Sequence, residues 1–354
     1  MKAALYLIDG YSLIYRSYFA FIRRPLTDAD GRNTSAIFGF FRSLLQLLRL
    51  RQPRALAVVM DSRTPTVRHE RYAPYKANRE KTPDELHAQV PDIEEMLAAL
   101  GIACLRLDGY EADDLIATLA RRCREERREC FVLSGDKDIL QLVGGGVAVI
   151  VPPQEGEEFG VLDREAVYAS RGIYPEQVVD YLALAGDSSD NVPGVAGVGE
   201  KTALKLLAQY KDLDSVYEAL ERLEPESLRR KLAAGRDSAF LSRELVSLPD
   251  DLPLAQSPAD LELRELDGQK AIPLFARRGM SSLVRDLSGL PAAAPAPGPA
   301  ARPRGRAAAP DRATPDRAAP ESAAPDRAAP DDGGRSPKRL RSGLVCIPCC
   351  DWSP

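Results

Sequence analysis

Histidine is almost missing from this chain: only His69 and His87 occur among 354 residues. That scarcity argues against a histidine-rich metal site and against a Ser-His-Asp triad. No run approaches ~18 apolar residues, so no membrane-spanning helix is expected, and the apolar stretch after Met1-Lys2 is too short for a secretory signal. The six cysteines have no framework spacing. Cys104, Cys123 and Cys130 fall in apolar or helical surroundings, which suits a reduced, cytoplasmic compartment. Cys346, Cys349 and Cys350 lack a second pair at ligand spacing, so zinc is not expected there. An excess of positive charge is lacking too: the net charge is −4. The total does not advertise a polyanion binder, yet a protein that holds metal through many carboxylates reads as acidic until it is loaded.

What the chain does have is acid in particular places. Ala3–Ile8 and Ala55–Met60 are apolar strand patterns that close on Asp9 and Asp61. Ile102–Leu107 reads as a strand leading to Gly109-Tyr110-Glu111-Ala112-Asp113-Asp114, three carboxylates ahead of a helical run at Leu115–Arg128. Cys130–Leu133 is a strand that ends in Ser134-Gly135-Asp136-Lys137-Asp138, and Val147–Val151 is another. Acids in a first helical turn are favoured by the helix dipole, but Glu111 and Asp114 share a face and repel unless a cation intervenes. Strands alternating with helices predict an α/β domain over residues 1–173, with a central, mostly parallel sheet. Its acids then fall past the carboxyl ends of strands, where open sheets of this class bind ligands. Brought together, they would need cations to stay ionised. Oxygen ligands without His or Cys select Mg²⁺ or Mn²⁺, and a pair of such ions suits in-line attack of water on a phosphodiester.

Two further stretches point to nucleic acid. Between Arg63 and Lys81 six Lys/Arg face two Glu, with Tyr72 and Tyr75 interleaved. There Arg68, Lys76 and Arg79 can neutralise phosphates while the tyrosines offer faces for unstacked bases. Thr82-Pro83-Asp84-Glu85 then predicts a helix capped by Thr82 that continues to Leu100 despite Pro91. Farther on, Gly194-Val195-Ala196-Gly197-Val198-Gly199-Glu200-Lys201-Thr202 is not a P-loop, because Glu200 separates Gly199 from Lys201 and no strand precedes it. Helical patterns at Val178–Ala185 and Ala203–Tyr210 make it a helix-hairpin-helix, with amides at a helix start open to a DNA phosphate. Helices dominate residues 174–290. Beyond them, residues 291–354 collapse to Ala, Pro, Arg and Asp and hold 13 of the 28 prolines, so that tail is expected to be disordered.

The chain resembles the 5′-nuclease (5′-3′ exonuclease) domain of bacterial DNA polymerase I, in the flap endonuclease superfamily, from about Lys2 to Leu290. The resemblance is carried, in order, by Leu7-Ile8-Asp9-Gly10, Tyr75-Lys76-Ala77-Asn78-Arg79, Glu111-Ala112-Asp113-Asp114, Gly135-Asp136-Lys137-Asp138 and Gly186-Asp187-Ser188-Ser189-Asp190-Asn191-Val192-Pro193-Gly194. It implies a PIN/resolvase-like fold. Asp9, Asp61, Glu111, Asp113, Asp114 and Asp136 would bind or order metal, with Asp138, Asp187 and Asp190 in a second, looser site. It further implies a helical arch over about residues 63–90, in which Tyr75, Lys76 and Arg79 meet a single-stranded 5′ flap. Lys76, and Arg16 from the first loop, would contact the scissile phosphate. The hairpin (Gly194, Gly197, Gly199, Lys201) would grip the duplex, with K⁺ held by backbone carbonyls. Met60 and Ala196 depart from the usual Phe and Pro, and neither removes a ligand.

The expectation is therefore a monomeric, Mg²⁺-dependent 5′-nuclease acting on branched or nicked DNA and on RNA primers in lagging-strand processing and repair. No polymerase segment follows Leu290, so the chain is not expected to synthesise DNA; the tail is either natural or a frameshift product. The competing class is a non-catalytic binder of branched DNA, which would gain nothing from crowding carboxylates against phosphate.

Overall fold

Strand β1 (Leu5–Asp9) is buried along its whole length, and the domain is layered outward from it. The computed structural model describes residues 2–79, 81–152, 159–263 and 266–289. The tail predicted at 291–354, with its three cysteines, lies outside the described residues. After β1 come α1 (Gly10–Ala20), α2 (Ser35–Arg51), β2 (Ala55–Val59), the short α3 (Val67–Arg71) and α4 (Asp84–His87), α5 (Val90–Leu100), β3 (Ala103–Leu105) and α6 (Ala112–Glu125). Then follow β4 (Cys130–Leu133), a 3₁₀ turn at Asp138–Leu142, β5 (Val147–Val151), β6 (Gly160–Leu162) and α7 (Arg164–Arg171). The remainder is helical: α8 (Val178–Ala185), α9 (Glu200–Tyr210), α10 (Leu213–Glu218), α11 (Glu226–Ala234), α12 (Arg236–Val246), α13 (Gly268–Arg277) and α14 (Ser281–Ser288).

The sheet order is β3-β2-β1-β4-β5-β6, parallel except for β6, which pairs antiparallel with β5. This is the mixed α/β architecture, with a mostly parallel sheet, that the alternating pattern predicts. The three residues of β6 carry too little periodicity to be read from sequence. Because β2 and β3 lie on one side of β1 and β4 and β5 on the other, strand order reverses between β1 and β4. A crevice opens there at the carboxyl ends of the strands. Asp9 closes β1 at that crevice, and Ser134-Gly135-Asp136 follows β4 into it.

Alternate residues of β1 serve two cores, as a two-residue side-chain period requires. Leu5 and Leu7 pack with α6 and with the helices from α8 to α12. Tyr6 and Ile8 face α1, α2 and α5 on the other side, together with α13 and α14. The last two helices thus leave the C-terminal helical region and return to the opposite face of the sheet. Phe275 of α13 meets Phe41 of α2 edge to face at 4.7 Å.

The helix expected from Thr82 to Leu100 is two helices. Gln89 is the reason: its side-chain carbonyl accepts from the Ala36 and Ile37 amides at the start of α2 (2.9 and 3.2 Å), and its amide donates to the Glu85 carbonyl. Pro91, at the start of α5, has no N–H to continue a helix across the junction. Thr82 is not a cap; its hydroxyl pairs with that of Tyr15. Likewise α6 starts at Ala112, three residues before the apolar run suggests, because the Asp61 and Asp114 carboxylates accept from the amides of Ala112 and Glu111 at its start. Among the described residues no helix is long and apolar enough to cross a membrane.

Phe275→Ala would empty a fully buried ring site between α13 and α2. It is expected to cost about 3–5 kcal/mol in urea unfolding, whereas a dispensable α13 would leave the midpoint unchanged.

Candidate active site

The crevice gathers acids from five separate segments. Asp9, buried at the end of β1, caps α1 by accepting from the Ser12 amide at 3.1 Å, and its second oxygen accepts from the Ser134 hydroxyl at 2.7 Å. Ser134 Oγ also accepts from the Asp136 amide at 3.0 Å, so one hydroxyl joins two strand ends. Asp61, just past β2, accepts from the Ala112 amide at 2.8 Å and ties that strand to the start of α6. Asp113 is half-buried in the first turn of α6. Asp136 accepts from the Asp138 amide at 2.9 Å.

Beyond β4 the cluster continues. Carboxylate oxygens of Asp138, Asp187 and Asp190 lie within 4.8 Å of one another. Asp187 and Val192 exchange backbone hydrogen bonds across a tight turn, and Asn191 takes a positive φ to close it. That turn is stitched to the basic segment. The Lys76 amide donates to the Asp190 carbonyl, Asn78 Nδ2 donates to the Ser188 carbonyl, and Asn191 Nδ2 donates to the Pro74 carbonyl. Arg79 pairs with Asp190, and Lys137 with Asp187 at 2.6 Å.

Crowding shows in the protonation equilibria. Burial, then the neighbouring Asp61, pushes Asp9 up to about 7. Burial followed by Asp136, Asp9 and Asp61 raises Asp113 well above the ordinary range, and burial with Asp136 and Asp190 does the same to Asp138. Asp61 and Asp136 are also raised, in each case chiefly by burial. Glu111 and Asp190 behave oppositely: burial pushes both up, but Lys76, with Arg68 for one and Arg79 for the other, outweighs it and holds them low.

The cations take three distinct places. Lys76, in the left-handed backbone region, sets its ammonium 2.7 Å from Glu111 and 3.6 Å from Asp190, between the two acid groups. Arg79 is half-exposed beside it. Arg68 differs from the sequence-based expectation. It is buried, with its guanidinium bidentate on Asp114 (2.8 and 2.7 Å), and it donates further to the Leu245 and Ser247 carbonyls at the end of α12. Arg68 is therefore withdrawn from any phosphate. Asp114 is withdrawn with it: it is 0 % exposed, and one of its oxygens also accepts from the Glu111 amide at 3.0 Å.

Tyr75 is buried as well and offers no face to a base; its hydroxyl lies 3.1 Å from Glu111 and 3.2 Å from Asp190. Tyr72 stays half-buried. Arg16 sits inside α1 rather than in a loop, and lines a small pocket with Ser12, Ser134 and Gly135. At the hairpin, Gly194 and Gly197 have positive φ, Gly199 caps α9, and Lys201 is exposed in its first turn. Ser134 and Lys137 also belong to the site, although neither is an acid. The signal for both was their place in Ser134-Gly135-Asp136-Lys137-Asp138, immediately after a strand.

The donor set suits a hard divalent cation. All its ligand atoms are carboxylate oxygens, and Asp138 Oδ1 is buried with no hydrogen-bond partner among the described residues.

Two outcomes follow. Arg68→Ala would strand a buried Asp114 carboxylate and is expected to cost about 3–5 kcal/mol of stability, measured by denaturant unfolding; an unchanged midpoint would show that the pair is replaceable. The second concerns pH. Asp9 has a raised folded pKa, about 7 against an ordinary 3.8, so its contribution favours folding at low pH and is lost as pH rises through about 7. In EDTA the melting temperature is expected to fall by at least about 3 °C from pH 5.5 to pH 8. Asp9→Asn should shrink that fall, and a divalent cation at pH 8 should reverse it. A flat profile in EDTA would remove Asp9 from the strained set.

The family model described as "5'-3' exonuclease, N-terminal resolvase-like domain" matches residues 4–172, and "5'-3' exonuclease, C-terminal SAM fold" matches residues 173–269. Among curated relatives, DNA polymerase I of Treponema pallidum is 48% identical over 284 residues, covering 80% of this chain and 28% of its own length. The thermostable DNA polymerase I of Thermus thermophilus is 40% identical over 294 residues, 83% of this chain and 34% of its own length. The chain thus spans about a third of the length of these relatives. Two solved structures share the fold. T5 5′-exonuclease with bound zinc has a TM-score of 0.58 at 18% identity, covering 81% of this chain and 99% of that one. The catalytic core of Rad2 in complex with a DNA substrate has a TM-score of 0.53 at 17% identity, covering 82% and 92%. The two family models follow one another along residues 4–269, across the sheet domain and the helical region, and the chain belongs to the 5′-3′ exonuclease family.

Proposed function

We propose that the chain is a structure-specific 5′-nuclease, cutting 5′ flaps and 5′ ends of branched or nicked DNA and removing RNA primers during Okazaki-fragment processing and repair. What supports this reading above all is the convergence of Asp9, Asp61, Glu111, Asp113, Asp136, Asp138, Asp187 and Asp190 on one crevice. No binding module benefits from such a concentration of negative charge where phosphate must lie. Asp9, Asp61, Asp113 and Asp136, with Glu111 beside them, would hold one Mg²⁺ or Mn²⁺ ion, and Asp138, Asp187 and Asp190 a second. Such ions supply charge neutralisation at the phosphate and a lowered pKa for the attacking water.

The chain's own residues have separate tasks. Ser134 fixes the carboxylate of Asp9 and the backbone of Asp136 through one hydroxyl. Asp61 holds the N-terminus of α6, and so Asp113, in place. Lys76 and Arg79 are the partly exposed cations above the acids, with side chains 19% and 46% accessible, and they would attract a phosphate into the crevice. Developing negative charge on that phosphate is then met by the Lys76 ammonium, already oriented by Glu111. Arg16, at the β1–β4 side, would contact the same phosphate. The helix-hairpin-helix between α8 and α9 would hold the duplex by its backbone, as a monomer.

A labelled 5′-flap duplex should be cut in Mg²⁺ and left whole in EDTA. Flap that stays intact in both, with binding retained, would identify a branched-DNA binder instead. Asp136→Ala should abolish cleavage while leaving flap binding in Ca²⁺ within a few-fold. Lys76→Ala should slow single-turnover cleavage by about 10²-fold or more with little change in duplex affinity; an unaltered rate would take Lys76 out of the mechanism.

A further inference from the structure

The hairpin between α8 and α9 is held from below by α11 and α12. Gly194 approaches Gly186 so closely that a Cβ on it would lie 2.3 Å from the Gly186 nitrogen. Its amide donates to Ser242 Oγ at 2.9 Å, and its carbonyl accepts from Ser238 Oγ at 2.6 Å. Gly235, between α11 and α12, abuts Val195, where a Cβ would meet the valine methyl at 2.7 Å. These three braces are neutral. The fourth is not: Lys231, in the last turn of α11, donates from its ammonium to the Gly197 carbonyl at 3.1 Å. Its chain lies along the glycine, since a Cβ on Gly197 would stand 3.0–3.3 Å from Lys231 Nζ, Cε and Cδ.

A turn carbonyl can be satisfied by a hydroxyl, as Gly194 shows. Using an ammonium there places a full positive charge at the tip of the hairpin. Lys231 is exposed, and no carboxylate pairs with it among the described residues. One of its three N–H donors goes to Gly197, which leaves two for another acceptor. Nothing obstructs the neighbouring Gly199, where a Cβ would meet no atom within 4 Å.

We propose that Lys231 is the resident cation of the hairpin: anchored on the Gly197 carbonyl, its ammonium takes a phosphate oxygen of bound duplex as its next ligand. Helix α11, outside the hairpin itself, is then part of the duplex-binding surface. The inference rests on the duplex-binding role given to the hairpin above. A monovalent metal ion on the same carbonyl is the competing occupant, because an ammonium and a metal ion cannot share that position.

The test is equilibrium binding of a labelled blunt duplex in EDTA, which leaves the nuclease crevice out, as a function of salt. Lys231→Met should weaken binding and lower the steepness of log K against log[salt] by about 0.9, the value of one phosphate contact. Lys231→Gln, which keeps a donor for Gly197 but no charge, should behave like Lys231→Met, and Lys231→Arg should stay within two-fold of wild type. Exchanging K⁺ for Na⁺ at constant ionic strength should leave wild-type affinity unchanged. The proposal is overturned by an unchanged salt slope in Lys231→Met, whether or not affinity falls, since Lys231 would then only brace the turn. It is equally overturned by K⁺-specific tightening in the wild type. If wild-type protein fails to bind duplex at all, the duplex-binding role of the hairpin has failed first, a result distinct from either.

Discussion

Like-charge repulsion in one crevice is the constraint around which this structure is built. Eight carboxylates meet there; Lys76, Arg79 and Lys137 are among the cations that pair with them, and Arg68 is committed to Asp114 and only 3.5 Å from Glu111. The imbalance is tolerated because it is divided. Glu111 and Asp190 share Lys76 and stay ionised, while Asp9, Asp113 and Asp138 keep protons to unusually high pH. The first group is already balanced by side-chain cations; the second is the one a divalent cation would relieve most. One crevice therefore holds acids of both kinds, and what separates them is whether a side-chain cation reaches them.

Arg68 shows how the N-terminal domain and the helical region are made interdependent. Its guanidinium closes on Asp114 at the start of α6 and on the last carbonyls of α12 at once. A buried guanidinium is tolerated only when its donors are matched, and here a carboxylate and two carbonyls match them. Moving α12 away from α6 would unpair it, so the hairpin helices braced by α12 are held in fixed relation to the crevice.

Much of this was legible in the sequence, because strand ends and their acids are local signals. Asp9, Asp61 and Asp136 were readable as residues that close apolar runs, and the parallel sheet followed from alternation. The helices flanking the hairpin were marked by their periodicity and glycines. What could not be read was which charge meets which. Arg68 looked like its neighbours Arg71 and Arg79, and only the fold reveals that it faces Asp114 and two α12 carbonyls. Tyr75 looked like a stacking ring because burial is not written in a polar, basic stretch. The division of the 82–100 helix depended on Gln89 reaching across to α2, a contact more than fifty residues distant in the chain. The return of α13 and α14 to the far face of the sheet was hidden for the same reason, since amphipathic helices do not name their partners.

The segment between Arg68 and Gln89 is fastened unequally along its length. At one end Arg68 is locked in a buried ion pair, and at the other Gln89 is buried between α2 and α4. Between them the fastening is mixed: Tyr75 is buried with its hydroxyl on Glu111 and Asp190, whereas Asn78 on Ser188, Arg79 on Asp190 and Asn191 on Pro74 lie at the surface, and Lys76 partly so. Water and salt weaken the contacts of Asn78 and Arg79 far more than those of Tyr75, Arg68 or Gln89. A polyanion that competes for Arg79 would therefore loosen that exposed stitch first while the buried Tyr75 hydroxyl keeps its place, as one seam of a garment gives while the lining holds.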